Sequence, residues 1–410
     1  MKKKRNIIVG QSGGPTSVIN SSLAGVYKNA KERGFHKVYG MLHGIQGLLD
    51  EKYVDLSTQI HSELDIELLK RTPSAFLGSC RYKLPEIHEN REIFEKIFEI
   101  LNRLDIEAFI YIGGNDSMDT IKKLSDYAII KGYPTKFVGV PKTIDNDLAL
   151  TDHTPGYGSA AKYIGTSTKE IIQDSSALVY SKGLVTIVEI MGRHAGWLTA
   201  ASALARKFEH DNPVLIYLPE TDFDQDAFIE KVRTSLETTP NLVVCISEGI
   251  HDNTGTFICE YSNDVGTDTF GHKMLTGSGK YLENLVKERL GVKVRSVELN
   301  VCQRCSSSML SKTDQKEAIA SGAYGVKAAL NGASGKMVAF ERLDGDDYQI
   351  DYVLKDVNVI CNQEKCVPVT WITADGSDVT EDFIRYARPL IQGEVTVPTE
   401  DGVPKFAYRK

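Results

Sequence analysis

Short apolar, β-rich runs alternate along the chain with stretches of helical periodicity. Because this alternation is typical of strands that are each followed by a covering helix, it predicts a mostly parallel sheet with helices on both faces. The predicted strands of the first half are 6–9, 38–42, 108–112 and 137–140, and the predicted helices are 18–33, 90–104 and 117–131.

The same alternation repeats in the second half of the chain. Its predicted strands are 184–190, 214–218, 242–247 and 292–297, and its predicted helices are 194–208, 225–236, 278–290 and 312–331. Two α/β halves of similar size suggest two domains with a cleft between them, with a boundary near residue 160. The charged, proline-bearing end of the chain, from about residue 372, suggests a peripheral extension.

The most informative stretch is 141–147, Pro-Lys-Thr-Ile-Asp-Asn-Asp, directly after the strand 137–140. It places two carboxylates, Asp145 and Asp147, beside a lysine and a threonine at the carboxyl end of a strand, where open α/β sheets bind ligands. Residues 113–117, Gly-Gly-Asn-Asp-Ser, follow the strand 108–112 in the same way. We therefore expect the two loops to form one site.

Composition limits the partners of this chain. With 41% hydrophobic residues, the chain has enough apolar material for large buried cores. Its 48 basic and 55 acidic side chains leave a formal net charge of −7. No long-range positive field would attract nucleic acid or anionic lipid, so phosphorylated ligands must be held by local groups.

Signals for secretion, membrane insertion and metal-thiolate binding are weak. The apolar run 7–9 ends at Gly10, far short of a signal peptide's apolar region, and no apolar run reaches the about 18 residues of a membrane span. The close cysteine pairs, Cys302 with Cys305 and Cys361 with Cys366, lack a second ligand pair at zinc-site spacing. We expect a cytoplasmic protein with reduced thiols and no membrane or nucleic-acid partner.

Glycine turns beside acidic loops suggest phosphoryl transfer, in which a protein mainly positions the reactants, holds Mg²⁺ and neutralises charge. Gly13 and Gly14, between a strand and a helix, have the geometry that presents backbone N–H groups to a phosphate. The common P-loop signature is missing, because Lys280 and Lys336, which each follow a glycine, are followed by Tyr281 and Met337 and not by the required Ser or Thr. We expect a helix start near 278 and a turn near 335.

Five motifs together resemble those of the phosphofructokinase family, in the same order, over roughly residues 6–372. The motifs are Gly-Gly-Asn-Asp-Ser at 113–117, Pro-Lys-Thr-Ile-Asp-Asn-Asp at 141–147, Met-Gly-Arg-His at 191–194, Ser-Glu-Gly at 247–249 and Gln-Arg at 303–304. The resemblance implies an α/β fold of two similar Rossmann-like three-layer domains, with mostly parallel sheets and the active site in the cleft between them. It implies a phosphoryl-donor domain at 1–160 with about 303–355, a sugar-phosphate domain at 161–302 with about 356–372, and a C-terminal extension at 373–410.

The resemblance also implies roles on the donor side. Asp145 matches the general base, which must come within about 3 Å of the sugar's 1-hydroxyl to take its proton. Thr143 would hydrogen-bond the transferring phosphoryl group, and Asp147 would help to hold the metal and to orient Asp145. The implied catalytic set is Asp145, Thr143, Lys142 and Arg193, and the implied pyrophosphate-binding set is Gly13, Gly14, Arg81, Asn115, Asp116, Ser117 and Lys142.

On the acceptor side, the loop of Met191, Gly192 and Arg193 matches the one that packs on the sugar. Glu248 matches the carboxylate that accepts the sugar's hydroxyls. Arg295 and Arg304 match cations on the 6-phosphate, and Thr143, Asp145 and Asp147 complete this set. Because Arg295 matches a position that a neighbouring subunit contributes, the resemblance implies a homodimer or homotetramer with the site completed across an interface.

Two departures from the motifs of ATP-using members indicate which phosphoryl donor this chain uses. ATP-using members tend to have glycine at the positions of Asp116 and Lys142, which leaves room for the α-phosphate and ribose of the nucleotide. Two unit charges about 4 Å apart at an effective dielectric near 20 interact by roughly 4 kcal/mol, so a carboxylate at Asp116 disfavours an α-phosphate. The Lys142 ammonium can instead neutralise inorganic pyrophosphate. These substitutions resemble those of the pyrophosphate-dependent branch of the family.

Asn115 replaces the more usual aspartate, and it offers Mg²⁺ a carbonyl oxygen but no charge. The implied magnesium ligands are therefore Asp116 and Asp147, with Asn115 as a weaker third. Leu184 and Val301 stand where ATP-using members often have an arginine and a histidine near the sugar phosphate, which leaves the acceptor less defined.

We predict a reversible, Mg²⁺-dependent transfer of phosphoryl from pyrophosphate to fructose 6-phosphate. The alternatives are an ATP-dependent 6-phosphofructokinase, a sedoheptulose 7-phosphate kinase, and a non-catalytic regulatory subunit that binds sugar phosphate.

Overall fold

A computed structural model of the chain describes residues 5–178, 182–208, 211–262, 277–345, 347–361 and 363–409. The strands are β1 (Asn6–Gln11), β2 (Lys37–Met41), β3 (Tyr53–Asp55), β4 (Ile106–Gly113), β5 (Lys136–Pro141), β6 (Leu184–Ile190), β7 (Leu215–Tyr217), β8 (Asn241–Ser247), β9 (Lys293–Glu298), β10 (Lys336–Arg342), β11 (Ile350–Asp356), β12 (Thr399–Glu400) and β13 (Val403–Pro404). The helices are α1 (Ile19–Glu32), α2 (Gly44–Leu49), α3 (Glu63–Leu69), α4 (Arg91–Arg103), α5 (Asn115–Lys131), α6 (Tyr157–Ser176), α7 (Trp197–Ala200), α8 (Gln225–Thr238), α9 (Ser278–Leu290), α10 (Cys302–Cys305), α11 (Lys312–Leu330) and α12 (Glu381–Ala387).

The chain divides into two compact units. The first contains Met1–Ser159, Arg304–Glu364 and Gln392–Lys410, and the second contains Ala160–Gln303 and Lys365–Ile391. Each unit is therefore assembled from separate stretches of the sequence. The donor and sugar-phosphate roles given to such domains stay a prediction.

The first unit is built on a seven-stranded sheet in the order β11-β10-β5-β4-β1-β2-β3. Its five inner strands run parallel, and the edge strands β11 and β3 pair antiparallel with their neighbours. Successive side chains of β1 point to opposite faces: Ile8 belongs to the core under α2, α4 and α5, while Ile7 and Val9 belong to the core under α1, α3 and α11. The unit therefore has three layers.

Helices α1 and α11 of the first unit pack backbone to backbone. A Cβ atom on Gly25 would lie 2.0 Å from the carbonyl oxygen of Ile319, and one on Gly322 would lie 2.1 Å from the carbonyl oxygen of Ser22. Only glycine fits at such a distance. This contact holds the layer that covers β1, β4 and β5, whose loops carry the donor motifs.

The second unit has a four-stranded sheet in the order β7-β8-β6-β9, with every pairing parallel. Helices α8 and α9 cover the face on which Val185 and Ile187 of β6 lie. Thr186, between them, points to the opposite face, where its hydroxyl lies 3.3 Å from that of Ser175 in α6. The sheet is thus covered on both sides, as its apolar strands require.

The predicted strands and helices were found at nearly the expected places, with one helix much shorter. The predicted helix 194–208 is only α7 followed by a 3₁₀ turn, Ala201–Ala205. It begins late because the Gly196 N–H is bonded to the Glu220 carboxylate, and it ends at Arg206, whose guanidinium pairs with Asp378. The helix start at Ser278 and the turn at Gly335 agree with expectation.

Several elements were not predicted. The 20-residue helix α6 is rich in Ser, Thr and Gly, which have low helix propensity, so its sequence gave little sign of it. The hairpin β10–β11 was also missed.

The end of the chain differs from the single peripheral extension expected at 373–410. Phe383 and Leu390 are buried within the second unit, and Val395 belongs to an apolar cluster of the first. Among the described residues, no helix is both long and apolar enough to cross a membrane.

Candidate active site

Three parallel strands of the first unit deliver the donor motifs to one edge of its sheet. β4 lies between β1 and β5, with Ile112 beside Gln11 and Gly113 beside Pro141. Parallel neighbours have their carboxyl ends at the same edge, so the loops that follow are adjacent. The Lys142 N–H donates to the Gly113 carbonyl at 3.0 Å. The two acidic loops expected to form one site are thus brought together.

The Lys142 side chain reaches under the first glycine turn. Its Nζ donates to the Gly14 carbonyl oxygen at 2.6 Å and would lie 3.2 Å from a Cβ on Gly13. Gly13 has a φ of 75°, in the left-handed region that favours glycine. The turn is closed from the other side by the Gly13 N–H, which donates to the Cys80 carbonyl.

Lys142 is 2% exposed, and burial is the main reason that its pKa falls to about 8. The carboxylates of Asp145 and Asp147 oppose this shift, whereas the charges of Arg304 and Arg81 add to it. Arg304 Nη1 would lie 3.5 Å from a Cβ on Gly14. Arg304, assigned to the sugar's 6-phosphate, therefore also faces the donor turn.

The acidic loop presents Asp145 on a short hydrogen-bonded turn. Thr143 Oγ1 donates to the Asp145 carboxylate at 3.2 Å and accepts the Asp145 N–H at 3.0 Å. The next residue, Asn146, is buried with a φ of 56°, a conformation that asparagine tolerates, and its Oδ1 accepts the Thr154 N–H. The turn thus holds Asp145 and Asp147 on either side of a buried asparagine.

The two carboxyls have raised pKa values. Asp145 is exposed, yet desolvation by the surrounding protein atoms raises its pKa, against the Thr143 hydrogen bond and the charges of Lys142 and Arg304. Burial, and then the charge of Asp145, raise the pKa of Asp147 to about 7. A carboxylate whose pKa is raised toward neutrality is a stronger base for a hydroxyl proton.

Two of the residues predicted to hold Mg²⁺, Asn115 and Asp116, lie at the start of α5, and the third, Asp147, lies on the loop after β5. Asp116 and Ser117 are in the first turn of α5, and Asp116 is exposed. Asn115 donates its amide to the Gln363 carbonyl, which leaves its Oδ1 as a buried acceptor with no partner in the described part of the chain. No cluster of three His, Cys, Asp or Glu groups fit for a metal occurs among the described residues. A magnesium ion that keeps its waters and binds substrate phosphates needs only one or two carboxylates, so these residues fit it.

A buried charge network holds the segment after the acidic loop. The two ring nitrogens of His153 each lie 2.8 Å from a carboxylate oxygen, one of Asp152 and one of Glu317. Arg342 pairs with Asp152 at 2.9 Å, and the Tyr348 hydroxyl donates to Glu317. These contacts tie residues 151–154 to α11 and β10. They therefore hold the chain in place where it leaves the loop 141–147.

The start of α6 is fixed by Asp314, which is buried in α11. Its carboxylate accepts the Gly156 and Ser159 N–H groups, both at 2.9 Å. Burial raises the pKa of this carboxyl to about 6. The helix that follows the acidic loop therefore begins at a point set by α11.

In the second unit, the loop after β6 meets the loop after β8. The Gly192 N–H donates to the Glu248 carboxylate at 3.4 Å, and the Glu248 N–H donates to the Ile190 carbonyl at 2.9 Å. Gly192 has a φ of 149°, and a Cβ there would lie 2.7 Å from Ser247 Oγ. The Met191 N–H donates to the buried side chain of Gln303. Met191, Gly192, Arg193 and Glu248 are thus brought together.

The two arginines of this unit that were predicted as site residues are placed differently. The Arg193 guanidinium lies 5.7 Å from the centre of the Phe257 ring. Arg295 lies beside Thr186 in the sheet and bonds Asp174 at 2.8 Å, so it is not part of the Met191 and Glu248 loops. That position agrees with a residue that serves another subunit, which stays a prediction.

Sequence reasoning missed several residues that shape the site. Gln303 was predicted only as part of a motif, although its side-chain oxygen accepts the Met191 N–H and so holds the Met191 loop. His153, Asp314 and Glu317 act through contacts made across long stretches of chain, for which a single sequence offers no signal. Glu364 lies near Asp145 and Asp147 and raises the pKa of both.

Comparisons with known proteins agree with this geometry. The sequence model of the phosphofructokinase family matches residues 6–329. The chain is 42% identical over 406 residues to a pyrophosphate–fructose 6-phosphate 1-phosphotransferase of Xanthomonas campestris, covering 99% of this chain and 96% of that protein. It is 40% identical over 406 residues to a protein of the same name from Halomonas elongata, covering 98% of this chain and 96% of that one.

A solved structure is similar over nearly the whole chain. It is the crystal structure of a pyrophosphate-dependent phosphofructokinase from Marinobacter aquaeolei, with a TM-score of 0.89 and 36% sequence identity. The match covers 99% of this chain and 96% of that one. The predicted fold class, with two α/β units and mostly parallel sheets, is confirmed.

The buried histidine network predicts a pH-dependent stability. Burial opposes the charge on His153, but Glu317 and Asp152 overcome it and raise its pKa to about 9, against 6.5 in an unfolded chain. This contribution is therefore complete below about pH 6.5 and is lost as the pH rises through 9, by on the order of 3 kcal/mol. Urea unfolding at pH 6.5 and 9 measures it. A His153→Gln variant should lack this part of the pH dependence, and an identical pH dependence in both proteins would contradict the prediction.

Proposed function

The chain belongs to the phosphofructokinase family, and we propose that it transfers a phosphoryl group from inorganic pyrophosphate to the 1-hydroxyl of fructose 6-phosphate. The products are fructose 1,6-bisphosphate and phosphate, and the reaction is reversible. The proposal is supported by two relatives, each named pyrophosphate–fructose 6-phosphate 1-phosphotransferase, at 40% and 42% identity over nearly the full chain. The family resemblance carried by the five motifs is confirmed by the match over residues 6–329.

One observation carries the choice of donor: the Lys142 ammonium lies 2.6 Å from the Gly14 carbonyl, inside the donor turn. A buried cation is costly unless something negative shares its site. Pyrophosphate supplies that charge and needs no room for a nucleoside. Asp116, exposed in the first turn of α5, adds a carboxylate that would repel the α-phosphate of a nucleotide.

Asp145 acts as the general base in this proposal. Its carboxylate is exposed and therefore open to a sugar hydroxyl, and its raised pKa favours proton uptake as the phosphoryl group is transferred. Thr143, bonded to Asp145, orients it and donates to the transferring phosphoryl group. Lys142, Arg81 and Arg304 neutralise the charge that moves from pyrophosphate to the sugar.

Enzymes of this family generally need a divalent metal, and we assign Mg²⁺ to Asp116, Asp147 and the Asn115 side-chain oxygen. When bound, the ion would neutralise charge on the phosphates. Asn115 Oδ1, which is buried without a partner among the described residues, is the support for its inclusion.

The acceptor is assigned to the second unit. Met191 and Gly192 pack on the sugar, Glu248 accepts its hydroxyls, and Arg193 stabilises the reacting phosphate. Arg295 would reach the 6-phosphate of a neighbouring subunit's substrate, in a homodimer or homotetramer in the cytoplasm. Arg304 would contact the 6-phosphate within its own chain.

Replacing Asp145 with alanine should lower turnover with pyrophosphate and fructose 6-phosphate by at least about a hundredfold, because the base is lost. Binding of fructose 6-phosphate should stay nearly unchanged, since other groups hold it. A coupled assay measures the first and calorimetry the second. Asp126→Ala, on the solvent side of α5, is the control and should keep wild-type turnover. If Asp145→Ala kept more than about a hundredth of the activity, Asp145 would not be the base.

The double variant Asp116→Gly with Lys142→Gly should turn over ATP measurably and lose most of its activity with pyrophosphate. The change removes the Asp116 carboxylate, which repels the α-phosphate of ATP. It also removes the Lys142 cation, which neutralises pyrophosphate. Initial rates with each donor at saturating Mg²⁺ and fructose 6-phosphate provide the measurement. No gain with ATP would mean that other residues set the donor.

A further inference from the structure

Residues Gln363 and Glu364 lie against both acidic loops of the first unit. The Asn115 amide donates to the Gln363 carbonyl at 3.3 Å, and Glu364 forms an isolated antiparallel bridge with Leu148. Gln363 and Glu364 lie beyond residues 6–329, which match the family, whereas their partners Asn115 and Leu148 lie within that range. Residues 363 and 364 therefore connect the loop 113–117 to the end of the loop 141–147.

The contact explains why position 115 holds an amide. An aspartate there has no N–H to donate and would place its charge against the Gln363 carbonyl, next to the charge of Glu364. Asparagine makes the bond and keeps one oxygen for another partner. The identity of residue 115 is thus tied to the position of residues 363 and 364.

Glu364 changes the charge of the donor site. Its side chain is exposed, and its charge acts on Asp145 and Asp147. Three cations, Lys142, Arg81 and Arg304, act within the same group. Together with Asp116 in the first turn of α5, four carboxylates therefore stand against three cations, and the formal charge of the donor site is −1.

A site whose carboxylates outnumber its cations gives little net attraction to metal-free pyrophosphate, which carries several negative charges. A metal ion on the pyrophosphate removes part of that charge and weakens its repulsion by the carboxylates. The carboxylates then disfavour the metal-free anion more than its complex. Glu364 contributes to this difference.

We propose that Glu364 is a specificity-determining residue that favours the magnesium complex of pyrophosphate over metal-free pyrophosphate, and that Asn115 is the positioning residue that holds Glu364 beside the donor loop. The proposal rests on the proposed function, because it takes pyrophosphate as the donor.

Calorimetric titration of the full chain with pyrophosphate tests this without turnover, because no sugar phosphate is added. Affinity is measured in EDTA and in excess Mg²⁺, and the ratio of the two is the readout. In Glu364→Gln, the affinity for metal-free pyrophosphate should rise by about tenfold, equivalent to roughly 1.4 kcal/mol, with a smaller change for the magnesium complex. Asp351→Asn, which removes an exposed carboxylate from β11, is the matched control and should keep the wild-type ratio.

Asn115→Ala provides a second, independent readout. Loss of its bond to Gln363 should speed hydrogen exchange of the backbone at 363–366 in the ligand-free protein, a readout that does not depend on the part Asn115 takes in binding pyrophosphate or Mg²⁺. Unchanged exchange would refute the positioning role of Asn115. Circular dichroism shows that each variant is folded.

The outcomes separate the two proposals. If the wild-type chain does not bind pyrophosphate even with Mg²⁺, the proposed function fails. If the wild-type chain prefers the magnesium complex and folded Glu364→Gln has the same ratio of affinities, only the role of Glu364 is overturned.

Discussion

Lys142, whose ammonium group is buried, joins the three loops of the donor side. Its backbone N–H is bonded to Gly113, at the end of β4, and its Nζ is bonded to Gly14, in the turn after β1, while the residue itself follows β5. Burial disfavours its charge, and Asp145 and Asp147 favour it, so its pKa lies near 8. The glycine turns must come this close for the contact to form. A Cβ atom at Gly13 would lie 3.2 Å from Nζ, and the φ of 75° at this position favours glycine.

The other features of the first unit serve this contact. The parallel order of β1, β4 and β5 brings the loops to one edge, and the close packing of α1 on α11 supports the strands beneath them. The network around His153 and the cap by Asp314 fix the chain where it leaves the acidic loop. Much of the buried polar structure near the site therefore positions a loop and takes no part in the chemistry.

The donor motifs could be predicted from sequence because their residues are local and follow strands directly. Asp145 and Lys142 are five residues or fewer from the end of β5, and the parallel-sheet rule then places them beside Gly113. Gln363, Glu364, Glu317 and Asp314 could not be predicted, because they come from distant positions and carry no motif. Helix α6 was missed because its Ser- and Gly-rich sequence is stabilised by contacts of tertiary structure such as the Asp314 cap.

The central claim is that Lys142 and Asp116 make inorganic pyrophosphate the donor. The most direct test is the initial rate of the purified chain with pyrophosphate and with ATP, each with fructose 6-phosphate and with sedoheptulose 7-phosphate, at saturating Mg²⁺. The account predicts the highest rate with pyrophosphate and fructose 6-phosphate and little or no turnover of ATP. A higher rate with ATP than with pyrophosphate, on either sugar phosphate, would contradict it.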